Sequence, residues 1–231
     1  MITYTRAILF AFTLFILSCE MNEPELFNYI ESEIESGKVP GIGLSIIVDG
    51  KTLISKGFGY ADIQNRVPFT ESTVMNIASI SKTFIGVSMM NAAEKGLLNL
   101  DDDINKYLSF KVVNPNRPNK KIIIRHLLGH RSSIIDEQKI YFTQSYHYGG
   151  DAPTNLGDFL KSYLSEGGSN YSKKNFLDKD PGSENSYSNI GSSLAAHILE
   201  SITGKTFNLI TRDLIFKPLN MKNTTWFLSE M

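Results

Sequence analysis

The sequence predicts a mixed α/β protein of the α+β type, in which antiparallel strands are accompanied by several helices. Asp49-Gly50 lies between two runs rich in β-forming residues, 42–48 and 51–59, and this arrangement is a strong hairpin signal. Apolar residues at helical spacing recur through the rest of the chain. With 231 residues, the chain has the length of one domain or at most two.

The predicted helices combine an apolar face with a stop signal. The first runs from Glu25 to Ser36 and ends before Gly37 and Pro40. Further helices are predicted at 81–95, 100–108, 122–129, 156–165, 189–202 and 207–216, with loops at 131–154 and 167–186. Because a lone two-stranded hairpin is marginally stable in water, the apolar face of this one requires further strands.

The composition is that of an ordinary globular protein. Hydrophobic residues make up 42% of the chain and charged residues 20%, with a net charge of −1. No basic stripe and no zinc-finger or RNA-binding motif is present in the sequence. We therefore expect no nucleic-acid partner.

The first residues have the pattern of an export signal. Arg6 precedes the apolar run 7–17, which only Thr13 interrupts. An apolar core this short behind a positive residue is typical of a secretory signal and not of a transmembrane helix. We predict a signal peptide over 1–18, which places the protein outside the cytoplasm, secreted or periplasmic.

Cys19 follows directly and is the only cysteine, so no internal disulfide can form. Ile16-Leu17-Ser18-Cys19 resembles a bacterial lipobox, in which the cysteine becomes the lipidated first residue. This pattern favours a membrane lipid anchor on Cys19, a tether over 19–24 and a domain over 25–231. Plain secretion, with cleavage nearby, is the alternative.

The quartet Ser79-Ile80-Ser81-Lys82 lies where a helix is predicted to begin. Residues i and i+3 share a helix face, so the Lys82 amine can sit over the Ser79 hydroxyl. This is the layout of a serine nucleophile with a built-in base. The quartet alone is weak evidence, because the chain is rich in serine and lysine.

A second pattern, Tyr187-Ser188-Asn189, follows the turn Pro181-Gly182 and opens the helix predicted from Asn189. A phenol held near an ammonium can lose or share its proton, since the positive charge favours the phenolate. Tyr187 could then relay protons between a serine and a leaving group. The alternative is structural, with Tyr187 anchoring the loop and Asn189 capping the helix.

His126 and His130 lie four residues apart at a predicted helix end and could chelate a metal. No third ligand has a convincing spacing, so hydrogen-bonded histidines at a capped helix end are the favoured interpretation. We expect no metal and no organic cofactor.

Together the two patterns resemble the serine β-lactamase and penicillin-binding protein superfamily, most of all the class C β-lactamase-related branch with its esterases and D-aminopeptidases. The resemblance runs from about Val39 to the end of the chain. Further matching segments are 57–62, 94–102, 124–130, 181–182 and 218–221.

The resemblance implies a β-lactamase-like fold, in which helices flank an antiparallel sheet and form a helical subdomain. It implies that Ser79 is the acylated nucleophile, with Lys82 as the general base or its electrostatic support. Tyr187 would assist proton transfer and deacylation, and Asn189 would lie near the substrate amide. The Ser79 backbone N–H would form half of an oxyanion hole. The implied substrate is a small molecule or peptide: a β-lactam, a D-amino-acid peptide or a small ester.

One departure from the family pattern concerns the third motif, Lys-Thr-Gly or His-x-Gly on a strand after the tyrosine. No such triplet follows Asn189, and His147-Tyr148-Gly149 precedes Tyr187, which is the wrong order. We therefore expect the C-terminal strands of such a domain to be missing from this chain.

Two hypotheses remain from the sequence. The first is a serine hydrolase acting through an acyl-enzyme. The second is a catalytically inactive truncated fragment, or a remnant that binds cell-wall peptide, because loss of one oxyanion donor costs about 10²–10³ in rate. The sequence leaves the substrate and the oligomeric state open.

Overall fold

A computed structural model describes residues 23–231, and the chain divides into two compact units at Asn76 and Ile77. Cys19 and the predicted signal peptide lie outside the described residues. Within residues 23–231, no helix combines the length and the apolar character that crossing a bilayer requires.

The first unit contains helix α1 (Glu23–Glu35) and strands β1 (Gly41–Val48), β2 (Lys51–Asp62) and β3 (Val67–Pro68), in the antiparallel order β1-β2-β3. The turn of the predicted hairpin has positive φ at both central residues, 50° at Asp49 and 73° at Gly50. A two-residue turn of this kind matches the twist of the strands, and the hairpin prediction is confirmed. The sequence did not predict β3, because two residues carry no alternation pattern.

Helix α1 covers part of this sheet through aromatic contacts. The ring of Phe27 lies 5.2 Å from that of Phe58 in an edge-to-face arrangement, and Phe58 is buried. The Lys56 ammonium stands 4.1 Å from the centroid of Phe27. The apolar residues of α1 therefore find their partners on β2.

The second unit is helical in the part of the chain described. Its helices are α2 (Lys82–Glu94), α3 (Ile124–Leu128), α4 (Gln138–Gln144), α5 (Leu156–Leu164), α6 (Asn189–Thr203) and α7 (Phe207–Thr211). Helix α7 continues into a single π-helical turn, Arg212–Phe216. Strands and helices together confirm the predicted α+β class and the antiparallel sheet.

The predicted helix at 100–108 is wrong, since only a 3₁₀ turn, Ile104–Lys106, forms there. Asp103 is extended, and its carboxylate accepts a hydrogen bond from the Asn105 N–H at 2.9 Å. Such side-chain bonds compete with helix formation. The Ile104 N–H also donates to the Ile122 carbonyl at 3.0 Å, which ties this segment to a neighbouring one.

The loop prediction for 131–154 missed α4, whose N-terminus is capped by Glu137. The Glu137 carboxylate accepts from the Ile140 N–H at 3.0 Å. Glutamate is not among the usual N-cap residues Ser, Thr, Asp and Asn, so no standard helix-start signal predicts α4.

Helix α6 forms the centre of the core of the second unit and packs against α2, α3, α5 and α7. It ends at Gly204, which adopts the left-handed conformation that closes many helices. Fully buried apolar side chains on α6 and on the elements packed against it form this core: Met89, Ile104, Ile124, Leu127, Ile134, Leu160, Leu164, Ile190, Leu194 and Ile198. The position of its N-terminus is fixed by this packing.

Tyr163, on α5, is a core residue that forms hydrogen bonds with the chain on both sides of residue 136. Its side chain is fully buried. Its hydroxyl donates to the Ile135 carbonyl at 2.8 Å and accepts from the Glu137 N–H at 2.7 Å. An isolated antiparallel β-bridge between Ile134 and Phe176 also holds this segment in place.

We predict that Tyr163→Phe lowers the free energy of unfolding by about 1–3 kcal/mol, because it leaves the half-buried Ile135 carbonyl and Glu137 N–H without their partner. The measurement is urea unfolding followed by the fluorescence of Trp226. Tyr148→Phe is the control, since Tyr148 is almost fully exposed and its change should stay within about 0.5 kcal/mol. Equal stability of the two variants would contradict the prediction.

Candidate active site

Ser79 lies in a 3₁₀ turn, Ala78–Ser81, that runs directly into α2, and Lys82 is the first residue of that helix. This local geometry brings the Lys82 Nζ within 3.1 Å of the Ser79 Oγ. Ala78 has a φ of 46°, a left-handed conformation that a residue with a side chain rarely adopts. The predicted approach of amine and hydroxyl on one face is confirmed.

Tyr187 and Asn189 lie on either side of Ser188, the N-cap residue of α6. The Tyr187 hydroxyl is 2.6 Å from the Ser79 Oγ. The Asn189 Oδ1 accepts a hydrogen bond from the Lys82 Nζ at 2.7 Å. The structure therefore joins all four predicted side chains in one hydrogen-bonded cluster.

The cluster is open to solvent at its reactive end. Ser79 is exposed and Tyr187 is half-exposed, whereas Lys82 and Asn189 are half-buried. A small molecule can thus reach the Ser79 hydroxyl, while the protein partly covers the side chains of Lys82 and Asn189.

The environment of Tyr187 favours loss of its proton. Partial burial raises the pKa of the phenol, but the neighbouring Lys82 ammonium and the Ser79 hydroxyl lower it by more, so the net pKa is below the ordinary value. The Lys82 Nζ also stands 4.9 Å from the centroid of the phenol ring. At Tyr163, burial is the main cause that raises the pKa to about 12, and the charges of Asp136 and Glu137 act in the same direction.

His130 packs against this tyrosine and accepts a hydrogen bond from the N-cap residue of α6. Its ring lies 4.4 Å from the Tyr187 ring, and its Nδ1 accepts from the Ser188 N–H at 3.2 Å. Burial, followed by the charge of Lys82, lowers the pKa of His130 and favours the neutral ring. His126 likewise accepts, from the Ile123 N–H at 3.4 Å, which confirms the hydrogen-bonded interpretation.

No group of three or more histidine, cysteine or acidic side chains in residues 23–231 is arranged to hold a metal ion. His147 lies in the loop after α4, where its Nε2 is 3.2 Å from the Gln144 carbonyl.

Asp136 was missed by sequence reasoning, although it contacts the cluster directly. Its carboxylate accepts from the Ser188 hydroxyl and from the Asn189 amide side chain, both at 2.8 Å. It also accepts from the backbone N–H groups of Asn189, at 2.8 Å, and Ile190, at 3.0 Å. The available signal in the sequence was an acidic residue directly after the apolar pair Ile134-Ile135. This pattern is too common to indicate a functional site.

We predict that Tyr187 ionises at a lower pH than an ordinary tyrosine, because the Lys82 ammonium stabilises the phenolate. In a pH titration followed by the ultraviolet absorbance of phenolate, Tyr187→Phe should remove the earliest step. Lys82→Met should move that step to higher pH.

The matched control is Tyr171→Phe, since burial raises the pKa of Tyr171 and its loss should leave the earliest step in place. An early step that persists in Tyr187→Phe would show that another phenol is the acidic one.

Comparison with known proteins assigns this arrangement to a family. The Beta-lactamase family model matches residues 26–230. Protein flp of Staphylococcus aureus, strain MW2, is 30% identical over 209 residues, which are 89% of this chain and 38% of that protein. The chain thus spans well under half of the curated relatives it matches.

Solved structures of related proteins support the same assignment. The octameric penicillin-binding protein homologue of Pyrococcus abyssi superposes with a TM-score of 0.71 at 29% identity, covering 87% of this chain and 44% of that one. The D-amino acid amidase of Ochrobactrum anthropi SV3 superposes with a TM-score of 0.65 at 27% identity, covering 84% and 49%. The predicted resemblance is confirmed, and the chain belongs to the Beta-lactamase family.

Proposed function

We propose that this chain carries the nucleophile of a serine hydrolase, which forms an acyl-enzyme on Ser79. The observation that carries the proposal is that the Ser79 Oγ lies within hydrogen-bond distance of both Lys82 and Tyr187. A serine hydroxyl is a weak nucleophile unless a neighbouring group takes its proton. Two candidate groups are in contact with it here.

Tyr187 is the better candidate for that proton acceptor. The Lys82 amine donates to the Asn189 Oδ1, and its positive charge favours the phenolate form of Tyr187. In this scheme the Tyr187 phenolate takes the Ser79 proton as the Oγ–carbon bond forms. The resulting phenol then protonates the leaving amine or alkoxide as its bond to the carbonyl carbon breaks. In hydrolysis of the ester, the phenolate accepts a proton from the attacking water and returns it to the Ser79 Oγ as the Oγ–carbon bond breaks.

Lys82 then acts as the electrostatic support and not as the base. Its position between the Ser79 hydroxyl and the Asn189 amide keeps a positive charge beside the oxygen atoms that gain negative charge. The Ser79 N–H, in the first turn before α2, is the proposed oxyanion donor, since amides there lack an acceptor within the helix.

The proposed substrate is an amide or ester of a small molecule or peptide. A β-lactam, a D-amino-acid peptide and a small ester are the candidates. The description of one structural relative as a D-amino acid amidase supports this range. Binding without turnover is the second candidate function.

We predict that a fluorescent penicillin or a p-nitrophenyl ester leaves an acyl adduct on Ser79, detected by intact mass and peptide mapping. Ser79→Ala should abolish the adduct. Lys82→Met and Tyr187→Phe should slow its formation by about 10²-fold or more, because each removes a proton-transfer or charge-stabilising group.

The matched control is Ser81→Ala, a serine of the same quartet that lies outside the hydrogen-bonded cluster. It should label at the rate of the unchanged protein. Absence of any adduct on the folded protein would reject the acyl-enzyme. Labelling without release of product would favour the second candidate function.

We also propose that the protein is held at a membrane outside the cytoplasm through a lipid on Cys19. The support is the apolar run and the Ile16-Leu17-Ser18-Cys19 pattern. In a bacterial host grown with labelled palmitate, the protein should take up label and sediment with membranes. Cys19→Ser should lose both properties. Its continued sedimentation with membranes would contradict the anchor.

A further inference from the structure

The carboxylate of Asp136 accepts hydrogen bonds from four groups at the start of α6. Oδ1 accepts from the Ser188 hydroxyl and the Ile190 N–H. Oδ2 accepts from the Asn189 N–H and from the Asn189 side-chain Nδ2. Three of the four contacts serve the backbone and the cap residue of the helix start, but the contact with Nδ2 has a separate consequence.

A side-chain amide has two unlike ends, and its neighbours decide which way it points. The Asn189 Nδ2 can only donate, and the Oδ1 can only accept. An ionised carboxylate only accepts, so Asp136 holds the Nδ2 end. The Oδ1 end is therefore turned toward Lys82, whose ammonium only donates, at 2.7 Å.

The reverse orientation would place two pairs of like groups in contact. The Asn189 oxygen would face the Asp136 carboxylate, and the amide hydrogens would face the Lys82 ammonium. Lys82 would then lose its acceptor on α6. Since the same ammonium contacts the Ser79 Oγ at 3.1 Å, a shift of Lys82 would also alter the nucleophile.

We propose that Asp136 is a positioning residue, which fixes the orientation of the Asn189 amide and through it holds Lys82 beside Ser79. This inference rests on the proposed function, because the rate it affects is acylation of Ser79. Asp136 does not touch Ser79 or Lys82 in the contacts described above. Its contact with the site therefore passes through Asn189, and beside this contact its charge raises the pKa of Tyr187, against the larger effect of Lys82.

Ser188 offers a matched control for the helix cap. Its hydroxyl donates to the Asp136 Oδ1 and accepts from the Gly191 N–H at 2.9 Å. Ser188→Ala therefore weakens the start of α6 without removing the acceptor of the Asn189 side chain. A structural role for Asp136 and a positioning role thus predict different results.

The test compares Asp136→Asn, Ser188→Ala, Asn189→Ala and the double variant Asp136→Asn/Asn189→Ala. Acylation by a p-nitrophenyl ester is measured for each, together with thermal stability. Asp136→Asn should slow acylation by about 10²-fold, the scale expected of a misplaced reacting group. Ser188→Ala should lose stability and acylate within about threefold of the unchanged protein.

The double variant decides whether Asp136 acts through Asn189. If it does, adding Asp136→Asn to Asn189→Ala should change the acylation rate by less than about threefold, since the coupling partner is already gone. If the two substitutions instead lower the acylation rate by independent factors that multiply in the double variant, the proposal is overturned. An Asp136→Asn variant that loses stability as Ser188→Ala does but acylates at the unchanged rate would also overturn it.

A readout independent of catalysis is the exchange of the Asn189 side-chain amide protons, observed by NMR on ¹⁵N-labelled protein and assigned by their loss in Asn189→Ala. These protons should exchange slowly in the unchanged protein and in Ser188→Ala, and fast in Asp136→Asn. Fast exchange in the unchanged protein would overturn the inference.

The NMR readout also separates this inference from the proposed function. If the unchanged protein is never acylated, the proposed function fails while the exchange data still decide the orientation of Asn189. If Asp136→Asn does not fold, Asp136→Glu is measured in the same cycle. It keeps the charge and shifts the oxygens by one methylene, so it should also slow acylation and speed exchange.

Discussion

The candidate site depends on how the first turn of α6 is held. The free N–H groups at the start of a helix need acceptors, and a negative charge is favoured there. In this chain the Asp136 carboxylate and the Ser188 hydroxyl provide those acceptors. Tyr187 and Asn189 flank the cap residue, so both start from this helix end, and Asp136 also binds the Asn189 side-chain amide itself.

The core of the second unit holds the start of α6 and Asp136 in position. Helix α6 is buried along one side by Ile190, Leu194 and Ile198, so it cannot turn about its axis without opening the core. Tyr163, whose side chain is fully buried, holds the chain on both sides of Asp136 through two hydrogen bonds of its hydroxyl. The helix end and its acceptor are thus positioned by separate parts of the same core.

Lys82 supplies the positive charge around which the polar groups are arranged. It donates to the Ser79 hydroxyl and to the Asn189 amide, and it stands close to the Tyr187 ring. Half-burial makes its electrostatic effect stronger than that of a fully exposed lysine. The lowered pKa of Tyr187 and the neutral state favoured at His130 are both partly consequences of this charge.

Local signals predicted much of the fold. Asp49-Gly50 indicated the hairpin because both residues accept positive φ, and Gly204 marked the end of α6 for the same reason. The segment 100–108 was predicted wrongly, since Asp103 bonds its own backbone neighbour and the chain pairs with Ile122 instead. Competition of this kind depends on contacts that periodicity does not contain.

The sequence by itself determined the pairing of Ser79 with Lys82, because three residues on a helical turn place both groups on one face. It also indicated Tyr187 and Asn189, through their resemblance to a family pattern. Only the tertiary structure decided that Tyr187 reaches Ser79 across 108 residues, and that Asp136 meets Asn189 across 53. Those contacts arise from the packing of α2 and α6 in a common core, which no local spacing specifies.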